Sequence, residues 1–293
     1  MSKSVKNPAP DLDALRGQID NIDDTIHDLL MQRAELANAI RSAKSAIEGD
    51  GKGEILSAYR PAREADMLRR LKSRHKGRLP FAAVARIWRE IIASLTQMQA
   101  PYGLYICGGS NLLAFHDIGR FYYGAAAHIH VHEDADAVLD AVSGDPAGLG
   151  LLPYPSRDET TPWWPRLVKL RQNGIAVIAS LPFFDSVAAN TAPQPSILVI
   201  SHAPFEPSGD DTTLLVINTP AATSKTRAVD MMRQAGIDCH ILAQNKSPDR
   251  PGTIDMLAAA TGFLDKQIKS PPEINKTTIL GGYANPITTG EQA

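Results

Sequence analysis

From Leu12 to Ile47 apolar residues recur at steps of three and four: Leu12, Leu15, Ile19, Ile22, Ile26, Leu29, Leu36 and Ile40. That spacing lays them along one stripe of a helix. Asp11 or Pro10 can open it, and no proline interrupts it before the breaker run EGDGKG. At the usual rise per residue the helix is roughly 50 Å long. It outreaches a domain of this size, so it must project and needs a partner to cover its stripe. An intertwined dimer of long helices is the expected solution. A second helix is expected from Arg60-Pro61 through Met67, Leu68 and Leu71, and a third from Pro80. The third carries Phe81, Val84, Trp88, Ile91, Leu95 and Met98 on one face. Residues 11–100 thus read as an all-α domain after a disordered lead-in, 1–10.

After Pro101 the period changes. LYICGG, HIHVH, GLGLLP, IAVIASL and SILVIS are short apolar or β-rich runs, separated by the helical stretches LLAFHDIGRFYYG, DADAVLDAVSG and WWPRLVKLRQNG. Strands alternating with helices predict an α/β domain over 101–204. HAPFEPSGDD reads as a linker. TTLLVIN, SKTRAVDMMRQAG, CHILAQ, TIDMLAAA and TILGGYA then predict an α+β unit of βαββαβ type over 205–293, its second helix weakly written around DKQIKS. The expected architecture is multidomain: three helices, then α/β, then α+β.

Composition narrows the function. A net charge of −2 over 293 residues argues against a molecule-wide nucleic-acid surface. Two cysteines, Cys107 and Cys239, are too few for a disulfide framework and fit a reducing cytosol. No apolar run has the length of a membrane span, and the start has no signal-peptide core. A soluble cytoplasmic protein is expected.

The charges of the first domain fall where a core should be. Arg33 sits on the apolar ladder between Leu29 and Leu36, Lys44 is three turns further in line with it, and Arg16 lies one residue past a core position. Glu64 shares a face with Met67, Leu68 and Leu71, with Arg63 beside it, and Gln99 is one turn beyond Leu95. Unpaired charges facing a core are costly. Internal pairs with Glu64, Glu35 or Asp66 are one resolution, and long side chains reaching back to solvent are another. As a set, however, Arg16, Arg33, Lys44 and Arg63 outnumber Glu64. The surplus points to an external anion with two or more carboxylates.

LDALRGQIDNIDDTIHDLLMQRAELANAIRSAK, RPAREADMLRRL and RIWREIIASLTQMQ together resemble the all-helical, type II chorismate mutase family. Its pattern is a leucine-arginine pair, an R-x-E-L-A segment, a lysine three turns on, an Arg-Glu pair opening the second helix and a glutamine closing the third. The resemblance implies conversion of chorismate to prephenate by a homodimer, with no cofactor and no metal. It implies that Arg16 of the partner subunit and Arg33 hold the two carboxylates, and that Lys44 and Gln99 donate to the ether oxygen. Glu64 then accepts the ring hydroxyl, while Arg63 holds the anion or Glu64 itself. Two positions depart from the pattern: Arg60 stands where an acid is usual, and Leu95 where a serine is usual.

Residues 101–285 resemble a shortened prephenate dehydratase domain followed by an ACT domain. YICGGSNLLAFHDIGRFYYG is similar to the dehydratase's first strand, glycine turn and helix, and ILGGYANP to the ending of the ACT unit. Pro195-Ser196-Ile197 replaces the threonine-arginine-phenylalanine signature, and Tyr154-Pro155-Ser156 lacks the expected asparagine. Ser224-Lys225-Thr226-Arg227 replaces the glycine-alanine-leucine effector turn. The region is therefore expected to be non-catalytic, structural or regulatory. A bifunctional mutase/dehydratase, a chorismate-binding regulatory protein and a helical interaction module are the competing readings. His128, His130 and His132 share one strand face and read as exposed surface rather than zinc ligands. Gly108-Gly109-Ser110 reads as a tight connection, and Trp163-Trp164 as packing against the sheet.

Overall fold

The computed structural model describes residues 11–47, 59–156, 161–185, 195–265 and 268–288. The lead-in 1–10 and the run EGDGKG lie outside them. Two compact units divide the chain, Met1–Gly53 and Glu54–Ala293. Among the described residues the first holds one element, helix α1 (Leu12–Ile47), as its apolar period requires. Its stripe is open: Ile19 and Ile22 are each 57% exposed, Leu29 56% and Leu36 66%.

The second unit begins with helices α2 (Pro61–Arg74) and α3 (Phe81–Gln99). Pro61 opens α2 and Pro80 precedes α3, where a missing N–H costs nothing. On α2 the expected face is buried, with Ala62, Glu64, Ala65 and Leu68 inside. On α3 the structure corrects the expected face. Ala85, Arg89, Ile92, Ala93 and Thr96 are buried, whereas Val84, Ile91 and Leu95 are half-buried and Met98 is 54% exposed. Two adjoining stripes of α3 are apolar; this unit buries the one that carries Arg89, while Phe81 and Trp88 of the expected face pack partly buried against the same core.

Strands β1 (Gly103–Ile106), β2 (His128–Val131), β3 (Leu149–Pro153), β4 (Ala176–Leu181) and β6 (Ile197–Ser201) fall on the expected runs. Helices α4 (Leu112–Tyr123), α5 (Ala135–Gly144) and α6 (Trp164–Leu170) lie between them. The short β5 (Phe184–Asp185) pairs with β11 (Ile287–Thr288). Beyond the linker come β7 (Asp211–Pro220), α7 (Lys225–Gln234), β8 (Cys239–Lys246), β9 (Thr253–Thr261) and β10 (Lys276–Ala284). The second helix of the expected βαββαβ unit is missing from the described residues between β9 and β10. Pro271 and Pro272 deny that stretch two backbone donors, and Leu264 and Ile268 pack on the core from irregular chain.

Nine strands form one sheet in the order β2-β1-β3-β6-β4-β10-β7-β9-β8. The two halves join where β10 runs parallel to β4, with Gly281 opposite Val177. Both faces are covered, which explains unbroken runs such as LLVI in β7. Leu214 and Val216 face a core shared with α5 and α6, and Leu215 and Ile217 face α7. The other face of the first half packs against α2, α3 and α4 through Leu68, Ala85, Phe115 and Ile118.

Candidate functional site

The six residues singled out by the sequence divide between the units. On α1, Arg16 is exposed and pairs with Asp13 at 3.1 Å, an exposed contact of little energetic weight. Arg33 is half-buried. Lys44 occupies the last turns of α1, and its side chain lies outside the described residues.

In the second unit Arg63 is exposed in the first turn of α2, in an open cleft with Asp66, Glu206 and Ser208. Gln99 ends α3, half-buried. Two residues earlier Gln97 bonds both backbone groups of Tyr102 at 3.2 Å and so fixes the entry into β1. Glu64 is buried and its Oε2 accepts a hydrogen bond from Arg89 of α3. Arg89 gives its other terminal nitrogen to the carbonyl of Tyr122 in the last turn of α4, and its guanidinium lies 5.1 Å from the Tyr122 ring centroid. Tyr59 and Tyr123 share a hydrogen bond at 3.2 Å beside this pair, with Tyr102 against both rings. A small cavity of about 20 Å³ touches Glu64, Arg89 and Ser180.

Burial pushes the Glu64 carboxyl above its ordinary range, and the adjacent guanidinium opposes that shift. Burial alone would lower Arg89, but the Glu64 charge outweighs it and holds the guanidinium protonated. Burial also raises Tyr59, Tyr102 and Tyr123, so all three stay neutral beside the ion pair.

Sequence reasoning misses Arg89, although a signal for it exists. Ala85, Arg89, Ile92 and Thr96 form a ladder of steps four, three and four, so Arg89 is a cation on an apolar stripe just as Arg33 is. Arg60, the departure from the family pattern, pairs with Glu206 of the linker at 2.8 Å. Arg69 holds the same linker through Ser208 and the Asp210 carbonyl, and also bonds the carbonyl of Asn285 just after β10. Two positions that the sequence sets against a dehydratase pattern are adjacent: the Tyr154 N–H donates to the Ser196 carbonyl at 3.0 Å, and the Tyr154 and Tyr283 hydroxyls lie 3.1 Å apart. His130 stacks on Tyr105 with centroids 5.2 Å apart on the exposed edge strand β2, and Trp163 and Trp164 are buried.

Residues 15–100 match the family described as chorismate mutase type II. The chain is 36% identical over 90 residues to the bifunctional chorismate mutase/prephenate dehydratase of Pseudomonas aeruginosa, covering 31% of this chain and 24% of that protein. It is 34% identical over 113 residues to the protein of the same name from Neisseria gonorrhoeae, covering 39% of this chain and 28% of that one. The chain thus spans about a quarter of the length of the curated relatives it matches. A prephenate dehydratase from Streptococcus mutans is similar in structure at 15% identity and a TM-score of 0.44, over 64% of this chain and 99% of that one. Over residues 15–100 the chain is thus similar to the type II chorismate mutase family, and a mixed α/β region follows that stretch.

Proposed function

We propose that the chain is a chorismate mutase acting as a homodimer, converting chorismate to prephenate in the cytoplasmic synthesis of aromatic amino acids. The observation that carries this reading is the family match over residues 15–100, which takes in Arg16, Arg33, Lys44, Arg63, Glu64 and Gln99 together. The rearrangement breaks one C–O bond while one C–C bond forms, without an intermediate. Catalysis then reduces to holding the enolpyruvyl chain over the ring and stabilising charge on the ether oxygen. Arg16 of the partner subunit and Arg33 clamp the two carboxylates. Lys44 and Gln99 donate to the ether oxygen, which is more negative in the transition state than in chorismate, so their bonds favour the barrier over the ground state. Glu64 accepts the ring hydroxyl, and Arg63 lends positive charge beside it.

The open apolar stripe of α1 supports the dimer, since a helix about 54 Å long with that much exposed apolar surface calls for a partner. The remainder divides into a dehydratase-like part, 101–204, and an ACT-like part, 205–293, with no dehydratase chemistry. Pro195-Ser196-Ile197 and Tyr154-Pro155-Ser156 stand where that chemistry needs a threonine, an arginine and an asparagine. The test is loss of chorismate absorbance with the purified chain and the appearance of prephenate. Chorismate that persists at the uncatalysed rate ends the mutase reading. Prephenate supplied to the chain is expected to yield no phenylpyruvate, and its formation would overturn the assignment of the second half.

A further inference from the structure

Helices α2, α3 and α4 meet at a buried ion pair. Arg89 spends its planar fork in two directions, on Glu64 Oε2 of α2 and on the Tyr122 carbonyl of α4. The Tyr122 hydroxyl in turn accepts the backbone N–H groups of Phe183, at 2.7 Å, and Phe184, at 3.3 Å, in the corner after β4. Glu64 and Arg89 are 9% and 4% exposed, so neither has much water to fall back on. A lysine in that place would be a point charge without the second, fixed direction.

We propose that Arg89 is a positioning residue for the mutase reaction: it fixes the direction and the charge of Glu64 by tying that carboxylate to the last turn of α4. The proposal rests on the mutase reading of Glu64 as acceptor of the ring hydroxyl. It gives the α/β region a role in the chemistry of α2 that needs no dehydratase activity, because the carbonyl anchoring Arg89 belongs to that region.

The groups facing Glu64 are Arg89 from α3, Tyr59 ahead of α2, Tyr102 at β1, and Tyr122 and Tyr123 from α4. Arg89 is the buried cation among these described neighbours, whereas Arg63, one residue before Glu64, is exposed in the cleft with Asp66 and Glu206. Removing the guanidinium therefore leaves burial unopposed, which favours the protonated carboxyl and weakens Glu64 as a hydrogen-bond acceptor for a hydroxyl.

The test is chorismate turnover by the full chain between pH 6 and 9 for wild type, R89Q, R89K, E64Q and the double variants. R89Q is expected to lose roughly tenfold or more at pH 7 and to recover part of it towards pH 9. In the E64Q background the recovery should vanish. A loss that is equal at every pH, or no loss, overturns the proposal. If R89Q does not fold, R89K with E64Q decides. The two changes are expected to be non-additive, since one acts through the other, and strict additivity overturns it. A wild-type chain without mutase activity removes both readings, whereas an active wild type with a flat, additive set removes only this one.

Discussion

Arg33 and Lys44 are eleven positions apart on α1, three turns that return to nearly the same side of the helix, so both positions lie on one face. In the proposed mutase site Lys44 donates to the ether oxygen of chorismate. Lys44→Ala is expected to lower turnover by about 10²–10³. The far-ultraviolet circular dichroism should stay unchanged, because alanine propagates a helix at least as well as lysine. Unchanged turnover would remove Lys44 from the site. The residue pattern is legible wherever a charge interrupts an apolar ladder, and Arg89 obeys the same criterion as Arg33 and Glu64. Its partners are not legible. The Tyr122 carbonyl is a backbone atom more than thirty residues away, and no side-chain pattern advertises a backbone acceptor. Arg60 illustrates the converse: read against the family it is an anomaly, yet the structure gives it Glu206, an acid that arrives with the linker.

At the scale of elements, period and punctuation locate seven helices and nine of the strands among the described residues, because apolar spacing and Pro or Gly breaks act locally. The two-residue β5 and β11 escape, being too short to carry a period. The buried face of α3 also escapes, since two of its stripes are apolar and only tertiary packing selects between them. The stripe of α1 has a direct consequence. Leu29 is 56% exposed at mid-helix, and placing a charge there leaves the helix itself intact while opposing burial against a second copy. Leu29→Glu is expected to shift the chain from dimer to monomer by analytical ultracentrifugation and to abolish mutase activity. An active dimer would refute the role assigned to α1. The interface of α2, α3 and α4 makes a different prediction through Tyr59, Tyr102 and Tyr123. Their phenols are raised by burial above the unfolded value of about 10, so the stability they contribute is present below that pH and is lost as pH climbs past it. The urea midpoint should fall above about pH 10, and phenolate absorbance from these rings should appear only as the unit unfolds. Early, non-cooperative titration of all three would show that the interface is open to solvent.

Across the second unit, the sheet continues through the linker that the sequence presents as a boundary. Residues 202–210 join β6 to β7, but composition is silent on which strands become neighbours. The parallel contact between β10 and β4 is set by a close approach at one residue. Gly281 has φ +115°, and a Cβ there would lie 2.1 Å from the Val177 carbonyl oxygen. Backbone strain and overpacking both oppose a side chain at that point, so Gly281→Ala is expected to cost roughly 2–6 kcal/mol. Gly209 is the natural comparison. Its φ is +89°, but among the described residues a methyl group there would meet nothing within 4 Å, so only the left-handed backbone opposes it. Gly209→Ala should cost that penalty alone, about 1–2 kcal/mol. Urea unfolding separates the two variants, and the choice of probe adds a second discrimination. Trp163 and Trp164 sit in the core that also contains Leu280 and Tyr283 of β10. If the nine strands melt as one sheet, tryptophan fluorescence and circular dichroism should shift together in Gly281→Ala. Separate transitions would mean that the two halves hold their folds independently and that the β10–β4 contact contributes little to either.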